Sequence, residues 1–261
     1  GAPIIGTSPT NIDVAEDREK FGKILNKLDI ACPIYGTGRS LEEVIEIADS
    51  IGYPVLARPS YVLGGRAMEI VYSQEQLIDY IARSADVTSG HPILIDQFLE
   101  DAFEFDVDAL CDGEEVYIGA IMQHIEEAGI HSGDSACVLP PYKIKSKTIV
   151  DIERITSLLA IEINVRGLIN IQFAYKDDEL FVLEVNPRAS RTTPFVSKTT
   201  NVPLAKIAAQ LSTGSKLKEY DLPKWDDIKH VAIKEAVLPF NKFPSESIFL
   251  SPEMKSTGEV M

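Results

Sequence analysis

The chain has 261 residues, 45% of them hydrophobic, and a mean hydropathy near zero. That is ordinary globular composition, with length for one large domain or two small ones. A formal net charge of −15 argues against non-specific nucleic-acid binding, which depends on surplus Lys and Arg. An anionic ligand held by a few arginines in a cleft stays open. Cys32, Cys111 and Cys137 lie far apart and form neither a disulfide framework nor a zinc pattern, so reduced thiols in a cytoplasmic protein are expected. No stretch approaches a membrane span and no signal-peptide pattern opens the sequence, so no membrane partner is expected. The sequence starts Gly-Ala-Pro and stops in a polar segment, which reads as a piece of something longer.

In sequence order, Pro3–Ile5 reads as a short strand, Gly6–Pro9 as a turn and Asp13–Leu28 as one amphipathic helix. Ser40 with Glu43 is a capping box opening a helix over Leu41–Ile51, which Gly52 closes. Val55–Arg58 reads as a strand, Pro59–Arg66 as a loop containing Gly64-Gly65, and Met68–Tyr72 as a strand. A helix follows over Ser73–Ala82, then an apolar strand over Pro92–Phe98. Glu104–Leu110 alternates strictly, with Glu104, Asp106 and Asp108 on one face. Asp112-Gly113 joins it as a hairpin to Val116–Met122, and a polar loop spans Glu126–Ser135. Lys147–Ile161 has helical spacing, Leu168–Tyr175 and Leu180–Val185 form a second hairpin, and Pro203–Leu211 reads as a helix. Beyond residue 212 the sequence reads as a less regular extension with one strand near Val231–Leu238. Helices and hairpins together give an α+β class with much antiparallel pairing.

The second hairpin carries the densest chemistry. Residues two apart on a strand share a face, so Gln172, Glu184 and Asn186 can converge, all offering oxygen. Hard cations such as Mg²⁺ take oxygen ligands, commonly one or two carboxylates plus substrate phosphates. Pro187 ends the ladder, and Arg188 and Arg191 follow at once. Cations beside a metal-held nucleotide suit phosphoryl transfer, although either arginine alone would read as solvated surface. Gly64-Gly65 can bring backbone N–H groups onto phosphates, but a tight turn is the commoner use. Arg58 is a cation at a strand end. Glu104 suits ribose hydroxyls, or equally a solvated acidic face shared with Asp106 and Asp108. His131 sits in a Gly/Ser loop fit for nucleotide contact; His91, His124 and His230 lack ligand spacing and read as structural.

Three segments, YPVLARPSYVLGGRAMEIVY (53–72), EEAGIHSGDSACVLPPY (126–142) and NIQFAYKDDELFVLEVNPRASRTTPFVSK (170–198), closely resemble the carbamoyl-phosphate synthase large chain. The resemblance runs over essentially the whole sequence. HSGDSACVLPPY and NPRASRTTPFVSK resemble its C-terminal, carbamate-phosphorylating half. It implies the ATP-grasp fold, with ATP between two α+β subdomains, the smaller over about residues 48–112. It further implies an end of the preceding segment over 1–15, an ATP-grasp domain over 16–213 and an extension over 214–261 leading to a regulatory domain. The implied cofactors are ATP and Mg²⁺ or Mn²⁺. Gln172, Glu184 and Asn186 match metal ligands. Arg58, Gln97, Leu99, Glu104, Gly129, Ile130, His131 and Ser132 match nucleotide contacts, as does Arg18, and Gln172 and Glu184 also face the nucleotide. Arg188 and Arg191 match the region holding carbamate or carbamoyl phosphate. The implied partners are a first synthetase half and a glutamine amidotransferase small chain, with a product for arginine and pyrimidine biosynthesis. Two rival readings are an ATP-binding or assembly module without chemistry of its own, and a different ATP-grasp ligase.

Overall fold

Two caps divide the first helical stretch. Ser8 accepts from the Asn11 N–H at 3.2 Å to open α1 (Pro9–Glu16). Asp17, in extended conformation, accepts from the Lys20 N–H at 3.0 Å to open α2 (Arg18–Lys27). The single helix expected over Asp13–Leu28 is therefore broken at Asp17, whose side chain competes for the backbone. The structure, a computed structural model, describes residues 4–59, 65, 67–88, 92–244 and 247–261, with residues 85–88 described by backbone alone. Ile4 and Ile5 lie in no strand. Pro3, His91 and most of the 59–66 loop, Gly64 included, lie outside the described residues.

The smaller sheet comes next in the sequence. It is built from β1 (Tyr35–Gly38), β2 (Val55–Pro59), β3 (Glu69–Val71) and β4 (Ile93–Gln97), antiparallel in the order β1-β4-β2-β3. Helices α3 (Leu41–Ile51) and α4 (Gln74–Thr88) pack on it around Val44, Ala48, Val55, Val71, Leu77, Tyr80 and Ile95. Ser40 caps α3 by accepting from the Glu43 N–H at 3.2 Å. The Glu43 carboxylate reaches one residue further back than a capping box requires, taking the Arg39 N–H at 2.7 Å. This unit draws on residues 35–97, not on the expected 48–112. Tyr35–Gly38, too short and glycine-rich to stand out as a strand, joins β4 at one edge.

The larger sheet holds β5 (Phe103–Cys111), β6 (Val116–His124), β7 (Cys137–Leu139), β8 (Gly167–Lys176), β9 (Glu179–Asn186), β10 (Ala232–Val237) and β11 (Gly258–Val260). Its order is β11-β10-β7-β6-β5-β8-β9, with neighbours antiparallel. Asp112 makes the β5–β6 turn, its Oδ1 accepting the Glu114 and Glu115 N–H groups at 2.9 and 2.8 Å. Helices α5 (Ser146–Glu162), α6 (Thr193–Thr200) and α7 (Leu204–Ser212) cover one face, burying Phe105, Val107, Ile121, Ile152, Leu159, Ile171 and Phe195. Helix α6 is hidden in the sequence because Pro and three threonines are among its eight residues. The irregular extension is not separate from this body, since β10 pairs with β7 and β11 with β10.

The opposite face of the larger sheet is polar yet buried. Asp106 and Asp108 are each 1% exposed, so the expected alternation is right and a solvated acidic face is not. Asn170 and His124 lie beside them, also buried.

Candidate nucleotide and phosphoryl-transfer site

A cleft of about 1080 Å³ opens between the two sheets. The residues that the resemblance matched to metal, nucleotide or acyl-substrate contacts line it: Arg18, Arg58, Gln97, Leu99, Glu104, Gly129, Ile130, His131, Ser132, Gln172, Glu184, Asn186, Arg188 and Arg191.

The larger sheet's wall follows from strand register. Gln172 lies opposite Glu184, and Asn170 opposite Asn186. Pairing then jumps to Phe173 opposite Val182, which leaves Leu183 as the extra residue of a bulge. Its freed carbonyl accepts from Arg18 Nη1 at 3.2 Å. Asn186 Nδ2 donates to Glu184 Oε1 at 2.7 Å, Arg188 Nη2 donates to Asn186 Oδ1 at 2.9 Å, and Gln172 Nε2 donates to Ser132 Oγ at 2.8 Å. Glu184 and Asn186 are thus joined side chain to side chain, and Gln172 stands opposite Glu184 in register with its amide turned to Ser132. Among the described residues no group of three or more His, Cys, Asp or Glu side chains is placed to hold a metal. The set here is of another kind, all oxygen with a single carboxylate, and it suits an ion that completes its shell with phosphates and water.

Arg191 reaches across from the loop after β9. Its Nη1 donates to Ser256 Oγ at 3.3 Å, and its Nε lies 3.9 Å from Glu259 Oε1. An added Cβ at Gly133 would stand 2.8 Å from Arg191 Nη1, so the guanidinium would have to shift.

The smaller sheet's wall carries a charge cluster that the sequence shows only in part. Arg58 Nε donates to Asp96 Oδ2 at 3.1 Å and Arg18 Nη2 to Asp96 Oδ1 at 2.7 Å. The Arg18 guanidinium also stacks on Tyr35, 4.5 Å from the ring centre. Asp96 is legible in the sequence only as one acid in the apolar run Ile93–Gln97. Further along, Leu99, Ala102, Ala128, Ala174, Phe181 and Leu183 form a small apolar slot. Gln97 donates its N–H to the Ile34 carbonyl at 2.7 Å and takes the Ile34 N–H on its Oε1 at 3.4 Å.

Glu104 does not extend into water. Its Oε1 accepts the Gly129 N–H at 3.2 Å. Gly129 has φ +89°, and a Cβ there would strike Phe98 and Ile70, so only glycine fits this turn. His131 accepts the Gly133 N–H on Nδ1 at 3.0 Å, and burial holds its pKa below the ordinary value, so the ring is neutral.

Beneath the polar wall, His124 Nε2 lies 2.9 Å from Asp106 Oδ2, and its Nδ1 lies 3.3 Å from Glu104 Oε2, off the hydrogen-bonding line. Burial opposes the imidazolium, but Cys137, Asp106 and Glu104 raise the His124 pKa well above its usual value. Burial likewise opposes the Asp106 charge, and the bond from His124 overrides it, holding its pKa low. Lys234 is fully buried, its Nζ donating to the Ser132 carbonyl at 3.3 Å and lying 3.6 Å from Glu259. Nothing in the polar tail of the sequence marks this lysine as a core residue.

Comparison with known proteins agrees with this geometry. A family model described as "Carbamoyl-phosphate synthase L chain, ATP binding domain" matches residues 17–220. The carbamoyl phosphate synthase large chain of Archaeoglobus fulgidus is 62% identical over 261 residues, covering 100% of this sequence and 24% of that protein. A Methanocaldococcus jannaschii protein, named as the C-terminal section of the same large chain, is 55% identical, covering 100% of this sequence and 44% of its own. The chain therefore spans about a quarter of the length of the Archaeoglobus relative. Among solved structures, a biotin carboxylase–ATP complex from Campylobacter jejuni superposes with TM-score 0.74 at 16% identity, over 89% of this protein and 53% of that one. A 2-oxoglutarate carboxylase biotin carboxylase domain from Hydrogenobacter thermophilus, in complex with MgADP and bicarbonate, gives 0.73 at 18% identity, over 88% and 52%. At such identity these likenesses speak for the fold alone. Two α+β units with a cleft between them form the ATP-grasp fold, and the chain belongs to the carbamoyl-phosphate synthase large-chain family of ATP-binding domains.

Proposed function

We propose that this protein phosphorylates carbamate with ATP, giving carbamoyl phosphate and ADP, as the C-terminal catalytic core of a carbamoyl-phosphate synthase. One observation carries the reading. Gln172, Glu184 and Asn186 meet across the β8–β9 register on the wall that also presents Arg188 and Arg191. The 55% identity to a relative named as a C-terminal section supports the choice of half.

The residues divide the work. The Leu99–Leu183 slot receives the adenine, and Glu104 receives the ribose hydroxyls. Arg58 and the 129–132 turn face the phosphates. Glu184, Asn186 and Gln172 would hold Mg²⁺ or Mn²⁺ through oxygen, with the amides turned to present it. The bound ion would supply charge neutralisation at the phosphates. Arg191, with Arg188, orients the carbamate so that its oxygen attacks the γ-phosphorus while ADP leaves in line. Carbamate is unstable in water, so the working site has to be closed to solvent during the reaction. In the complete enzyme the carbamate comes from a first synthetase half, and ammonia from a glutamine amidotransferase small chain. The product serves arginine and pyrimidine biosynthesis, and the setting is the cytoplasm. Among the described residues no helix is long and apolar enough to cross a membrane.

The test is the reverse reaction, ATP formation from ADP and carbamoyl phosphate with Mg²⁺. Glu184→Ala should abolish it. Full activity in that variant refutes the ion site, and ATP binding without any reverse reaction in the native protein favours a binding module.

A further inference from the structure

The loop that presents Arg188 and Arg191 has almost no backbone support. It leaves β9 at Asn186 and enters α6 at Thr193, and its backbone bonds are at its ends, Arg188 N–H to the Asn186 carbonyl and Val196 N–H to the Thr192 carbonyl. Its fixation comes instead from side chains, and they gather on one buried group. Ser190 Oγ donates to Asp108 Oδ1 at 2.7 Å, and Thr192 Oγ1 donates to Asp108 Oδ2 at 2.7 Å. Asn170 Nδ2 donates to Asp108 Oδ1 at 3.1 Å. Ser190 Oγ also accepts the Thr193 N–H at 3.1 Å, which starts α6. Ser190 and Thr192 flank Arg191, so two hydroxyls tied to one carboxylate bracket the arginine, while its own side chain extends to Ser256 and Glu259.

Burying a carboxylate is costly unless a partner repays it. The three donors that reach Asp108 are uncharged. An asparagine would be cheaper to bury, but it could keep Thr192 only by reversing that bond, its Nδ2 donating to a hydroxyl that now donates, whereas the carboxylate accepts from both hydroxyls as they stand. A carboxylate here makes sense as a two-point anchor.

We propose that Asp108 is a positioning residue, which pins Ser190 and Thr192 to the floor of the larger sheet and so aims Arg191 at the acyl-phosphate end of the cleft. The inference rests on the proposed carbamate-phosphorylating reading for what Arg191 meets, but not for the anchoring itself.

The experiment uses the full-length synthase that contains this segment, with Asp108→Asn, Thr192→Val and Thr192→Ser. Valine keeps the threonine shape without the hydroxyl, and serine keeps the hydroxyl. In the reverse reaction, Asp108→Asn and Thr192→Val should raise KM for carbamoyl phosphate roughly tenfold or more and leave KM for ADP unchanged, because the anchor acts at one end of the cleft. Thr192→Ser should retain native constants. Amide hydrogen exchange over residues 187–193 should quicken in the first two variants and not in the third. Native exchange over 187–193 in Thr192→Val overturns the anchor, whatever the kinetics. Native kinetics with quickened exchange overturn the aiming role. If the native protein shows no reverse reaction while exchange responds as expected, the functional reading falls and the anchor stands.

Discussion

The two sheets solve burial in opposite ways. The smaller one is held by an apolar cluster around Val55, Leu77 and Ile95, with Asp96 buried at its cleft face beside Arg58. The larger one is apolar toward its helices, but toward the cleft it buries Asp106, Asp108, His124, Asn170 and Lys234. The difference matches the chemistry each wall is proposed to meet. One wall presents Arg58 and Arg18 around the single carboxylate of Asp96, two cations to one anion, and that surplus positive charge suits phosphate oxygens. The other keeps its groups on fixed supports, which suits a reaction whose demand is positioning and charge placement.

The comparison can be broken first through Glu184. Glu184→Ala, at an exposed position, should leave denaturation midpoints in place while the reverse reaction falls roughly 100-fold or more. A matching loss of stability would mean that Glu184 supports the hairpin rather than an ion.

Stability separates the walls next. His124→Leu should lower it by about 3–5 kcal/mol, since it leaves Asp106 buried without its partner. Urea denaturation would read it, and a loss below about 1 kcal/mol would show that the polar floor is not held by this pair. The apolar counterpart is Leu77→Ala, at the centre of the smaller sheet's core. It should lower stability by about 2–5 kcal/mol through lost burial and a residual cavity.

Dependence on pH sharpens the contrast. The folded pKa of His124 lies well above its unfolded value near about 6.5, so its stabilisation is complete below that value and is lost as pH rises through the folded value. The depressed Asp106 contributes above about 3.9 and is lost as pH falls through its folded value. Asp108 runs the other way. Burial lifts its pKa to about 6, against the pull of the Ser190 and Thr192 hydroxyls, so its ionisation erodes stability between about pH 4 and about pH 6. Asp108→Asn should flatten that part of the stability profile, whereas Leu77→Ala should shift the whole profile without reshaping it. The smallest effect belongs to a helix end: Ser40→Ala should cost about 1 kcal/mol by freeing the Glu43 N–H, measurable as a small midpoint shift.

Much of this molecule is legible one residue at a time. Alternation names the faces of β5, β8 and β9, and the spacing of Gln172, Glu184 and Asn186 gives the candidate ligand set, because strand period is a local property. The cap at Ser40 and the Asp112-Gly113 turn are equally local. Tyr35–Gly38, Cys137–Leu139 and Gly258–Val260 do not stand out as strands, since each is short and gains its hydrogen bonds from partners elsewhere in the fold. The break at Asp17 and the helix over Thr193–Thr200 escape the sequence because capping and packing override propensity.

Motif and register alone determined that the residues around Glu184 offer oxygen and positive charge together. Only the tertiary structure decided that Asp96 pairs Arg18 with Arg58, that Asp106 and Asp108 are buried, and that Lys234 sits under Ser132. The reason is physical. Whether a carboxylate is solvated or sealed in depends on what covers it, and for Asp108 the covering hydroxyl of Thr192 comes from 84 residues away.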